Sequence, residues 1–72
     1  MIGDLRQRLT SRPFEPFLII TSCGHRYRIA TAEHAAVDPR GSRVLIWFDD
    51  GSGVEISALH IVALEQEPAR AA

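Results

Sequence analysis

The chain has no lysine. All eight of its basic residues are arginine, set against nine acidic ones, for a net charge of −1. That balance provides no general attraction to a nucleic-acid backbone. There is a single cysteine, which excludes an intramolecular disulfide as a brace. No apolar run approaches the ~18 residues of a membrane span, so no membrane is expected as a partner. The opening stretch MIGDLRQRLTSRP carries Asp4, Arg6, Arg8 and Arg12 and lacks an apolar signal core. The expected location is cytoplasmic, where a lone thiol stays reduced.

What is present is a dense apolar complement in a short chain. Hydrophobic residues make up 46% of the 72, enough for a packed core and too many for disorder. A chain of this length buries only about 60% of its unfolded surface, so its stability margin is thin and a partner chain is a common remedy. The charge is unevenly spread. Residues 1–43 hold seven arginines against four acids (+3), and residues 44–72 hold one arginine against five acids (−4). Arginine suits stacking and bidentate contacts to phosphate or carboxylate.

Ile2, Leu5 and Leu9 fall on one helical face, and Pro13 ends the pattern, so residues 2–11 read as a short amphipathic helix. PFEPF (13–17) is a stiff link with two phenylalanine anchors. FLIITS (17–22) and HRYRIA (25–30) read as strands joined by Cys23-Gly24, a hairpin signal. A two-residue turn pairs Ile20 with Tyr27 and Leu18 with Ile29. Leu18, Ile20, Tyr27 and Ile29 then form the core face, and Ile19, Thr21, Arg26 and Arg28 face solvent or a partner.

TAEHAAVDPRGS (31–42) is polar, with Thr31 placed to cap one helical turn through His34. RVLIWFD (43–49) is the most strand-like run, followed by the turn DDGSG and the alternating VEIS. Loops of two or four residues put Leu45 and Trp47 on the face of Val54 and Ile56. Val44, Ile46 and Phe48 then face the other way, as core or as a self-association stripe. A last strand runs from about Ile61 to Glu65 after a tight corner at His60. The expected architecture is mainly β: a short N-terminal helix followed by a five-stranded, strongly bent SH3/Sm-like small barrel, one domain over residues 1–67, with 68–72 as a flexible tail.

The stretches PFEPFLIITSCGHRYRI, AEHAAV and DGSGVEISALHIVALE resemble a family of short, largely uncharacterised bacterial proteins. That family has a PFxPF entry, a glycine hairpin, a central acidic residue and a closing HIxxIE-like strand. Here Leu64 stands for the last isoleucine and Cys23 for a usual aspartate. The resemblance covers nearly the whole chain and implies a common fold without a function. More loosely, the element order is similar to the bacterial Sm-like RNA chaperones. Their rings pair the fourth strand of one subunit with the fifth of the next, and they bind uridine-rich RNA through a Tyr-Lys-His signature. The matching positions here are Ser57, Ala58 and Leu59. The signature is absent, and His60 is one residue out of register, so RNA binding is not carried onto it.

Cys23, His25 and His34 fall within a dozen residues, a density that raises zinc. A structural zinc site needs four ligands, typically in two close pairs, and only Cys23 and His25 are close. The turn reading is preferred, with no metal and no cofactor. Thiol catalysis needs a base and an oriented partner in a water-excluding pocket, and the sequence assembles none. Arg26 and Arg28, with Ile19 and Thr21, form the candidate binding face. Val44, Ile46 and Phe48 are the candidate self-association stripe, and His60 is a structural corner. The expectation is a non-enzymatic interaction module whose partner is itself or another protein. An Sm-like ring binding single-stranded RNA is the alternative.

Overall fold

The computed structural model describes residues 1–67. It has one N-terminal helix, α1 (Ile2–Thr10), and six strands: β1 (Phe17–Thr21), β2 (Arg26–Ile29), β3 (Ala35–Val37), β4 (Arg43–Trp47), β5 (Gly53–Ser57) and β6 (Ile61–Gln66). One-turn 3-10 helices at Ala32–His34 and Ala58–His60 precede β3 and β6. The strands form two antiparallel three-stranded sheets, β2-β1-β6 and β3-β4-β5. Neither sheet closes into a barrel among the described residues. No described helix is long and apolar enough to cross a membrane. The tail expected at 68–72 lies outside the described residues.

The core lies between the sheets and under α1. Leu5, Phe17, Ile19, Ile29 and Val44 are fully buried, and Ile46, Ala35 and Ile61 nearly so. Leu5 brings α1 onto this core, with Ile2 and Leu9 partly buried beside it. The helix ends where Ser11 turns extended, two residues before Pro13. Arg6 fixes the helix to the β3–β4 loop by donating to the carbonyl oxygens of Asp38 (2.8 Å) and Pro39 (3.3 Å).

The sixth strand, β3, replaces an expected polar turn. Alanine is a poor strand former, so Ala35-Ala36 carries no local signal. The strand exists because Ala35 pairs with Ile46 and is buried against the core. The loop that follows is held by Asp38. Its carboxylate accepts the backbone N–H groups of Ser42 (2.6 Å) and Arg43 (2.8 Å) and the Ser42 hydroxyl (3.0 Å).

Both hairpin registers differ by one residue from the expected ones. In the first, Thr21 N–H donates to His25 O (2.9 Å), and Ile19 faces Tyr27 while Ile20 faces Arg26. The loop is Ser22-Cys23-Gly24, with Gly24 at φ +88°. In the second, Phe48 N–H donates to Ser52 O (2.8 Å), and the loop is Asp49-Asp50-Gly51, with Gly51 at φ +91°. A three-residue loop that ends on a left-handed glycine is a standard hairpin alternative to the two-residue turn. An odd loop where an even one is expected moves every side chain of one strand to the opposite face.

Candidate functional site

The register change rearranges the candidate residues. Ile19 and Thr21, expected on the outer face with the arginines, point inward at 0% and 5% exposure. Leu18 and Ile20, expected in the core, are the half-buried outer residues opposite Arg28 and Arg26. In the second sheet Val44 and Ile46 are core residues facing Ile56 and Val54, so they do not form a surface stripe. Only Phe48 of that trio reaches the surface, at 40% exposure, where its ring stacks on Tyr27 at 6.2 Å. Leu45 and Trp47 face outward instead, opposite Glu55 and Gly53.

Arg26 and Arg28 do lie on the outer face, but each is engaged. Arg26 donates to Glu65 Oε1 at 2.7 Å. Arg28 holds the Glu67 carboxylate through Nε and Nη2. The sheet order β2-β1-β6 puts β1, with Leu18 and Ile20 on its outer face, between the arginines and their carboxylate partners. A phosphate ligand would have to displace a carboxylate at each arginine.

Cys23 and His25 belong to the first hairpin turn. The Cys23 thiol is exposed and 3.2 Å from the Thr21 hydroxyl. That hydroxyl, and then a backbone contact at His25, hold the thiol below its ordinary pKa. The His25 ring contacts the Tyr27 hydroxyl at 3.1 Å. His34 lies elsewhere: its Nδ1 is 2.7 Å from Thr31 Oγ1 and its Nε2 is 2.9 Å from Asp49 Oδ1. Among the described residues no three His, Cys, Asp or Glu side chains converge on a metal position.

The Thr31–His34–Asp49 chain has the residue types of a catalytic relay, and sequence reading did not find it. Its geometry is that of a strut. The Thr31 hydroxyl is occupied as a cap, accepting the Glu33 N–H at 3.2 Å, and the Asp49 side chain is 95% exposed. Effective relays work in water-excluded sites. Here the chain ties the 3-10 turn before β3 to the tip of the β4–β5 hairpin.

His60 occupies the corner between β5 and β6. Its carbonyl accepts the Ser22 N–H at 2.7 Å, and its ring Nδ1 is 3.4 Å from Ser22 Oγ. On the other side of the same turn, Ala58 N–H donates to Ser42 O at 2.9 Å. The 3-10 turn is thus fastened to a hairpin of each sheet. At its apex Leu59 is 91% exposed, and Val62 just beyond is 54% exposed. Beside the turn a cleft of about 330 Å³ opens between the β1–β2 turn and β5. Thr21, Tyr27 and Ile56 line it, with Cys23, Glu55 and His60 among the polar groups around it. In the sequence Leu59 stands out only as a position where the Tyr-Lys-His signature is missing, because one apolar residue in a short corner carries no periodic signal.

Among the described residues, β5 and β6 each have one hydrogen-bonded neighbour and one open edge. β2 and β3 are also edge strands, but they have only four and three residues, and short edges are poor templates for pairing. β5 and β6 have five and six residues and flank the corner that carries Leu59. No family model, no curated protein and no solved structure matches the chain.

Proposed function

We propose that the protein is a non-enzymatic interaction module that acts by self-association or by docking on another protein. The observation that carries this reading is the corner where the open edges of β5 and β6 meet, with Leu59 and Val62 exposed on it. Open edge strands offer unpaired N–H and C=O groups to another chain, and apolar side chains beside them add burial. The helix, the run of strands and the 3-10 turn before the last strand support an SH3/Sm-like relationship for the fold. The carboxylates on Arg26 and Arg28 weigh against single-stranded RNA as the partner.

The test is absolute mass by light scattering on a sizing column at two salt concentrations. The expected result is a mass that is a multiple of 8.0 kDa and is little changed by salt, because the proposed contact is apolar and backbone-paired. A monomer at every concentration removes self-association and leaves docking on a different protein. Retention on single-stranded RNA that falls steeply with salt would overturn the protein-docking reading.

A further inference from the structure

We propose that Leu59 is a self-docking knob: it enters the cleft between the β1–β2 turn and β5 of a second copy of this chain. This rests on the self-association reading and names its contact. A lone exposed leucine is ordinary on a protein surface. This one differs in how it is held and in what lies beside it.

The backbone on both sides of Leu59 is fixed. Ala58 N–H is bonded to Ser42 O, His60 O accepts from Ser22, and the Leu59 N–H itself donates to Ser57 Oγ at 3.2 Å. The side chain is therefore projected from a turn already ordered before any partner arrives, which lowers the entropy cost of burying it. The adjacent cleft of about 330 Å³ has Tyr27 and Ile56, from different sheets, as its apolar walls, with Glu55 and His60 among the polar groups around them, and its volume exceeds that of a branched aliphatic side chain.

The occupant follows from adjacency. Ser57 and His60, the residues flanking the Ala58-Leu59 apex, both line the cleft. Knob and hole are thus neighbours on one surface. A single two-fold axis between them places each Leu59 in the other copy's cleft and satisfies both at once, the self-complementary arrangement of an isologous dimer. A second copy carries both features at the matching spacing by construction, whereas an unrelated partner would engage the leucine or the cleft alone. The open β5 and β6 edges adjoin the contact and extend it.

The test compares Leu59→Ser and Leu59→Met with the parent chain by light scattering over a concentration series, with circular dichroism confirming the fold. Because Leu59 is 91% exposed, neither change disturbs the core. Each dimer buries Leu59 from both copies, so Leu59→Ser is expected to weaken it by roughly 1,000-fold, the loss of two well-buried leucines, while Leu59→Met retains it. Association unchanged in Leu59→Ser overturns the knob and leaves self-association through another surface. A parent chain that stays monomeric throughout overturns both. A second measurement mixes the Cys23→Ser/Leu59→Cys variant with the parent chain under mild oxidation. Cys23 lines the cleft, so a disulfide between the two different chains is expected. Its absence while the two chains still co-associate places the turn elsewhere and overturns the proposal.

Discussion

On the outer face of the first sheet, Leu18 and Ile20 of β1 lie half-buried under two ion pairs, Arg26–Glu65 and Arg28–Glu67, that bridge the strands on either side. On the outer face of the second, Leu45 and Trp47 of β4 are each 41% exposed. Their neighbour across from Trp47 is Gly53, which has no side chain to share the surface. A small two-sheet domain has more apolar residues than its interior can hold. The first sheet covers the surplus with two ion pairs, whereas the second, among the described residues, has one, Arg43–Glu55 at 3.4 Å beside Leu45, and leaves Trp47 open opposite Gly53. The same charges that cover the first sheet also neutralise its arginines, so the face that looks basic in the sequence is the less available one for an anion.

The sharpest way to break the comparison is to exchange inward and outward residues of equal size. Ile19→Ala removes a fully buried side chain and is expected to cost about 3 kcal/mol in chemical denaturation. Leu45→Ala on the outer face of the second sheet is expected to stay within about 0.5 kcal/mol. Equal costs would mean that the register is wrong.

Gly53→Ala tests the bare face from its edge. A Cβ there would sit 2.9 Å from the Ile46 carbonyl oxygen, against backbone that cannot move aside cheaply. The expected loss is about 1–2 kcal/mol, and a stabilised variant would refute the close approach of β4 and β5 at this point.

Asp38 anchors the loop that leads into the second sheet, and its effect appears as a pH dependence. Backbone N–H groups of Arg43 first, together with Ser42, lower its pKa from 3.8 to about 2 in the folded chain. A carboxylate whose folded pKa lies below its unfolded value stabilises the fold fully above the unfolded value, and that contribution is lost as pH falls toward about 2. Denaturation midpoints of Asp38→Asn, followed from neutral pH down to pH ~2, should therefore fall less steeply between pH ~4 and pH ~2 than those of the parent. Parallel acid limbs would show that Asp38 is not the group responsible.

The smallest effect is expected from Arg28→Ser in the charged cover of the first sheet. Exposed ion pairs contribute little and are screened by salt. The midpoint should drop slightly at low salt and less at high salt. A drop of the same size at both salt concentrations would assign the role of Arg28 to its apolar stem, which salt does not screen.

Much of the backbone plan was legible in the sequence. The helix over Ile2–Thr10 follows from its apolar spacing and Pro13, and five of the six strands fall within a residue or two of their apolar or alternating runs. β3 was not legible, because Ala35–Val37 is made a strand by β4 and not by its own residues. The candidate site was far less legible. Arg26 and Arg28 could be placed on an outer face, but their carboxylate partners are 39 positions away in the chain, a separation over which local pattern carries no information. Thr31, His34 and Asp49 meet only once two turns are packed together.

The sequence by itself determined the helix, the hairpins and the positions of their turns, because spacing, β-branching and glycine act over a few residues. Only the tertiary structure decided which face of each strand is the interior. That choice rests on whether a turn holds two residues or three. Cys23-Gly24 and Asp50-Gly51 are compatible with either count until the two sheets pack and burial selects one. It made Ile19, Thr21, Val44 and Ile46 core residues, turned Leu45 and Trp47 outward, and left Leu59 at the corner between two open strand edges.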